Sequence, residues 1–183
     1  MKTKAEDPGV KVNNLTVQDN GSFTYTNVKD NSTTSVNGVT GETAIQYSNH
    51  DAVRTDSAGR VTYASTGQDA NKVDWAMDGN GLKGFNVGGH YYERVDGQPD
   101  TFKSGDGAYM HAALSTDGRG LNITRTSTNP GIGYSTSTET MTTYSPGQNA
   151  TVRTRTVTDA ASGTHAQHGQ WSEWSEPHPV ENQ

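Results

Sequence analysis

Apolar and polar residues alternate with a period of two along much of the chain. GSFTYTNV (21–28), RVTYAS (60–65), GLNITRT (120–126) and ATVRTRTV (150–157) all carry this texture. It is the pattern of strands with one face against a core and one face in water. Between such runs stand Asn20-Gly21, Asn37-Gly38, Asp78-Gly79, Asn80-Gly81, Asp96-Gly97, Asp106-Gly107 and Asp117-Gly118. These residue types tolerate the positive φ that tight hairpins require. GAYMHAALS (107–115) comes closest to a helical pattern and fits a strand at least as well. The pattern predicts an all-β chain, a sandwich of short strands joined by tight turns.

Composition narrows the core. Ile, Leu, Val and Phe together number 24 of 183 residues, below the roughly 20% at which strongly charged chains lose their fold. The net charge is only −6, so self-repulsion is mild. The 8 Tyr and 3 Trp can bury area that aliphatic residues do not, about 150–250 Å² each. A core this small suits thin β layers, or subunits that complete one another's cores. The acidic balance offers no general attraction to nucleic acid phosphates. No apolar run is long enough to span a membrane, and none follows Lys2 and Lys4 to make a secretory leader. Without cysteine, neither a disulfide framework nor a thiolate metal site can form.

Residues 1–9 are charged and contain Pro and Gly, and are expected to form an arm. A polar β-rich or fibre-like unit is expected over 10–85, a second β unit over 86–177, and a tail over 178–183. Trp75, Phe85, Tyr91, Tyr92, Phe102, Tyr109 and Met110 gather most of the bulky side chains in the middle of the chain. SAGRVTYAS (57–65) has the flavour of one RHS/YD repeat unit, but a hairpin turn produces the same string.

The C-terminal part holds the most specific motif. YSPGQNATVRTRTVTDAASGTHAQHGQWSEWSEP (144–177) resembles the last two strands of a fibronectin type III domain of the bacterial or bacteriophage kind. Pro146-Gly147 matches the turn into the sixth strand, Val152, Arg153 and Arg155 match its V-R-x-R core, and Gly169 to Pro177 match the W-S-x-W-S box. The resemblance implies a fibronectin-III-like β-sandwich over 86–177 and, in the box, a polyproline-II twist with three residues per turn. Trp171 and Trp174 would then share a face, as would Ser172 and Ser175. Arg153 and Arg155 share a face of the neighbouring strand and would interleave with the indoles, while the serines bond that strand's backbone. The box is thus expected to lock the last strand rather than touch a ligand. Two positions depart from the family pattern. Ala150 replaces the tyrosine of the tyrosine corner, and Tyr144 stands two residues ahead of Pro146, where the family's L-x-P-G pattern has Leu.

Catalytic motifs are missing: there is no G-x-S-x-G, H-E-x-x-H, P-loop or G-x-G-x-x-G. Asp74, Asp78 and Asn80 could offer oxygens to Ca²⁺, but the acidic twelfth position of an EF-hand loop is lacking, and turn chemistry explains them. His165 and His168 belong to a hairpin loop. No catalytic residue, cofactor or metal site is expected. The expectation is a non-enzymatic structural or attachment protein of a virion, folded in the host cytoplasm. It would be a decoration, tail or fibre component, homo-oligomeric with a trimer favoured, contacting other virion proteins. The alternative is a carbohydrate-binding adhesin on a cell surface or virion, with Trp75, Tyr91, Tyr92 and Tyr109 as glycan-stacking rings. Those rings are also the natural core of so aliphatic-poor a chain.

Overall fold

The computed structural model describes residues 11–160 and 168–180. The described chain is all-β. Its strands are β1 (Val12–Val17), β2 (Phe23–Asn27), β3 (Thr33–Val36), β4 (Thr43–Gln46), β5 (Ala52–Thr55), β6 (Val61–Thr66), β7 (Val73–Asp78) and β8 (Gly81–Val87). They continue with β9 (His90–Val95), β10 (Gln98–Ser104), β11 (Tyr109–Leu114), β12 (Leu121–Pro130), β13 (Tyr134–Tyr144), β14 (Thr151–Ala160) and β15 (His178–Pro179). All fifteen form one antiparallel sheet in which neighbours in sequence are neighbours in space. A single 3-10 turn at Asp69–Asn71 interrupts the described strands.

The turns explain the meander. At Asp56–Arg60 the Asp56 N–H donates to the Arg60 carbonyl (2.9 Å), and the Gly59 N–H donates to the Asp56 carbonyl (2.9 Å). Gly59 takes φ +79°, and the Asp56 carboxylate accepts the Ala58 (2.9 Å) and Arg60 (3.0 Å) amides. This is a short hairpin loop closed by a left-handed residue. Gln18–Ser22 and Ser104–Ala108 close with the same two backbone bonds, and Gly21 and Gly107 there have positive φ. At Asn37–Glu42 the left-handed residue is Gly41 rather than Gly38. Gly38 is needed for space, since a Cβ there would come within 2.2 Å of the Gly21 carbonyl carbon.

The core fills the concave face of the sheet. Ala64, Trp75, Phe85, Tyr92 and Ser104 lie side by side across β6 to β10, a row of three aromatics ended by two small residues. Phe85 stacks on Tyr92 at 5.3 Å and meets Phe102 at 5.1 Å. Val53 on β5 and Ala112, Leu121 and Ile123 on β11 and β12 join the same cluster, with Tyr47, Met110 and Tyr144 packed against it. Fully burying each large side chain contributes about 1.5–3 kcal/mol. Because this one core runs from β4 to the end of β13, the expected boundary between residues 85 and 86 falls inside β8, where Phe85 and Val87 are both buried.

One sheet makes both layers by curling. In an up-and-down meander successive turns lie at opposite ends, so the β4–β5 and β13–β14 turns should be far apart. They touch: the Gly147 N–H donates to the Asp51 carboxyl at 2.8 Å. Nine strand-to-strand steps at about 20–25° each turn the strand axis by roughly 180–225°, which brings opposite ends to the same side.

β12, β13 and β14 form a long ribbon whose distal half projects from the core, with residues 125–134 exposed on β12 and at its tip. The expected C-terminal tail begins as structure: His178 and Pro179 pair with Val152 and Thr151 as β15, and the Val180 N–H donates to the Ala150 carbonyl (3.0 Å). The expected arm (1–9) and His165 lie outside the described residues.

Candidate functional site

Three places carry concentrated side-chain chemistry: the seam along the outer edge of β14, the mid-chain aromatics, and a cleft where turns from the two halves of the sheet meet.

At the seam, the Ser172 N–H donates to the Thr156 carbonyl (2.8 Å) and the Thr156 N–H donates to Ser172 Oγ (3.0 Å). Ser175 repeats the pattern on Thr154, with bonds of 2.8 and 3.0 Å. Three residues of the box therefore advance for every two of the strand. The serine hydroxyl stands where a strand residue's own carbonyl would accept, and its O–H donates to the next carbonyl, that of Glu173 (3.0 Å) or Glu176 (3.3 Å). The Arg155 guanidinium carbon sits over the Trp171 ring at 4.9 Å and the Trp174 ring at 4.6 Å. Its Nε donates to Glu139 on β13 at 2.5 Å. Each cation–π contact contributes about 0.5–2 kcal/mol. Among the described residues Arg155 alone is held between the indoles; Arg153, half-buried two positions away, makes no such contact. Two rings form one slot. The seam satisfies an otherwise open sheet edge, which would pair with foreign strands.

The four candidate glycan rings separate into two pairs. Trp75 (1% exposed) and Tyr92 (8%) are core residues. The Trp75 indole N–H is the one buried side-chain polar atom without a partner among the described residues. Tyr91 and Tyr109 are exposed, and strand alternation places both on the outer face of β9–β11. Tyr91 lies across Gly84, where a Cβ would meet its hydroxyl at 2.5 Å. The Lys103 ammonium covers the Tyr109 ring at 5.3 Å. Sequence alternation could have separated the pairs, because Tyr91 and Tyr92 are adjacent and must face opposite ways.

Two of the three suspected Ca²⁺ ligands, Asp74 and Asp78, have carboxylates engaged in other bonds. Asp78 accepts the Asn80 N–H (2.8 Å) and pairs with Arg94 (2.7 Å), while Asp74 accepts from the Asn86 amide (2.9 Å). The Arg94 hydrogen bond, then the Asn80 N–H, holds the Asp78 carboxyl below its usual range. Among the described residues no group of three or more His, Cys, Asp or Glu side chains is placed to hold a metal ion.

The cleft was not visible in the sequence. It has a volume of about 570 Å³ and is built from the β2–β3, β4–β5, β11–β12 and β13–β14 turns. Asp51, 2% exposed, clasps its floor. Its carboxyl accepts the Gly67 N–H (2.9 Å), the Gly147 N–H (2.8 Å) and the Asn49 side-chain amide (3.0 Å). Gly147, at φ +79°, lies on the Tyr47 ring, and a Cβ there would press within 2.6 Å of it. Asp117 is held below the usual carboxylate range by the Ser115 hydroxyl and then by the Arg119 N–H. At Asp30, burial pushes the other way but is outweighed by hydrogen bonds from Ser32 and by Lys29, so its carboxyl is also lowered.

Comparison with protein-family models, with characterised proteins and with solved structures gives no match for this chain.

Proposed function

We propose that this chain is a non-enzymatic structural or attachment component of a bacteriophage virion, a decoration, tail or fibre protein that works through contacts between β surfaces. The fibronectin-like box, the Thr-, Ser- and Asn-rich strands and the absence of cysteine support the reading. The observation that carries it is where the scarce aliphatic residues go. Leu15, Val17, Val28, Val39, Ile132 and Val180 are exposed, six of only 24 Ile, Leu, Val and Phe residues. Leu15 and Val17 lie on β1, the edge strand of the described sheet, and Ile132 lies at the ribbon tip; exposed apolar side chains at such places suit protein–protein contact. A homo-oligomer, with a trimer favoured, would cover β1 or the Ile132–Tyr134 tip. Light scattering on the size-exclusion peak tests this. A trimer or larger closed assembly that Val17→Asp or Ile132→Asp converts to folded monomer is expected, and a folded wild-type monomer would overturn the shared-surface reading.

The second reading is attachment to a cell-surface glycan. It is favoured by the exposure of Tyr91 and Tyr109 on one outer face and by the polar cleft.

A further inference from the structure

We propose that the cleft between the β2–β3, β4–β5, β11–β12 and β13–β14 turns is a binding site for a neutral sugar residue of a glycan. The inference deepens the glycan-attachment reading and rests on it. Size is the first support: about 570 Å³ lies within the roughly 300–1,000 Å³ of small-ligand sites and would take one or two sugar rings.

The lining supplies the second. Asp30, Tyr47, Asp117, Arg119, Gln148 and Asn149 all border the cleft. The Arg119 guanidinium, the Gln148 and Asn149 amides and the Tyr47 hydroxyl make no side-chain hydrogen bond among the described residues. Planar amide and guanidinium groups offer paired donors and acceptors, which suit vicinal hydroxyls. Tyr47 adds a ring whose apolar body can lie against sugar C–H groups and whose polar tip stays wet.

Charge decides against other ligands. Asp30 and Asp117 line the cleft together with Arg119, the one cation in its lining, so an anion meets two carboxylates and a cation meets a guanidinium. A neutral polyhydroxyl ligand avoids both repulsions and uses all the groups. The site is also held in shape before binding. Asp51 ties the β4–β5 turn to Gly67 and Gly147 through part-buried bonds, so less ordering entropy remains to be lost.

The test is a nuclear magnetic resonance titration of the ¹⁵N-labelled full chain with glucose, galactose, mannose and N-acetylglucosamine, each to about 50 mM, ample for a Kd near 1 mM. At least one sugar should shift the amides of Asp30, Arg119, Gln148 and Asn149. The shifts should vanish in Arg119→Ala and Asn149→Ala, whose side chains make no internal bonds and whose spectra should otherwise overlay the parent. Shifts collected at Tyr91 and Tyr109 instead would overturn the cleft assignment and leave the glycan reading standing. No shift with any of the four sugars would overturn both, leaving the oligomer reading to the mass measurement. Inorganic phosphate serves as the charge control. If it shifts the same amides more strongly than any sugar, the site is an anion site and the neutral-ligand assignment fails.

Discussion

Asp51 shows how one side chain can fasten a fold that its sequence neighbourhood does not reveal. It sits in Asn49-His50-Asp51, beside a His50 with φ +69°, a conformation that costs a non-glycine residue energy. In sequence it reads as another turn aspartate, like Asp56 or Asp117. Only the curl of the sheet brings Gly147 to it across 96 positions, and no local pattern encodes that distance. Its two carboxyl oxygens accept from two separate backbone amides, Gly67 and Gly147. Asp51→Asn keeps the size but turns one acceptor into a donor facing an N–H. The expected loss is about 1–3 kcal/mol, read as a lowered urea midpoint with unchanged slope, and melting should fall by several degrees in a chain of this size. Asp56→Asn, at an exposed turn, should cost much less. Equal effects at the two positions would remove Asp51 from its fastening role.

The tryptophan box is an element whose chemistry is local to one strand and the segment beside it. The fibronectin resemblance implied a three-residue period in the box beside the two-residue period of the strand, and Ser172 and Ser175 bond Thr156 and Thr154. The part not legible was the occupancy of the slot. Both arginines share a face, but only the register of the serine bonds decides that Arg155, and not Arg153, lies between the rings. Strand existence was equally readable: the four alternating runs all fall on strands, β2, β6, β12 and β14. The seam's contribution can be isolated from the core. Replacing both Ser172 and Ser175 by Ala deprives the Thr154 and Thr156 amides of their acceptors. Hydrogen exchange at those two amides should accelerate by one or more orders of magnitude, while the β7–β8 amides around Trp75 and Phe85 keep their protection. The same variant should aggregate faster, since it uncovers an edge. Unchanged exchange at Thr154 and Thr156 would mean that the box does not hold β14.

For the whole molecule, the sequence predicted the class and missed the continuity. Turn signals every ten or so residues mark hairpins, but nothing local states that all the hairpins join one sheet or that accumulated twist folds it back on itself. The expected boundary at residue 85 falls inside β8: a change in composition from polar to aromatic marks where the core begins. A meander of this kind depends on many turns of similar build, and that gives it a characteristic response to acid. Asp30, Asp56, Asp78, Asp106 and Asp117 all stand at turns, and all have carboxyl groups lowered from 3.8. The chief lowering influence is the Arg60 N–H at Asp56, Arg94 at Asp78, the Ser104 hydroxyl at Asp106 and the Ser115 hydroxyl at Asp117. At Asp30 burial opposes the Ser32 bonds and loses. A carboxyl group whose folded pKa lies below its unfolded value stabilises the fold fully above the unfolded value, and that contribution is lost as pH falls through the folded one. The urea midpoint should therefore begin to drop near the unfolded value of 3.8 and keep dropping as pH falls through the lowered folded values, with each of the five turns contributing a share. Asp78→Asn and Asp117→Asn should lower the midpoint at pH 7 and flatten the acid limb, so that variant and parent converge near pH 2. Parallel acid limbs in parent and variants would show that the turn carboxylates do not carry the acid sensitivity, and the turns would then be held by backbone geometry alone.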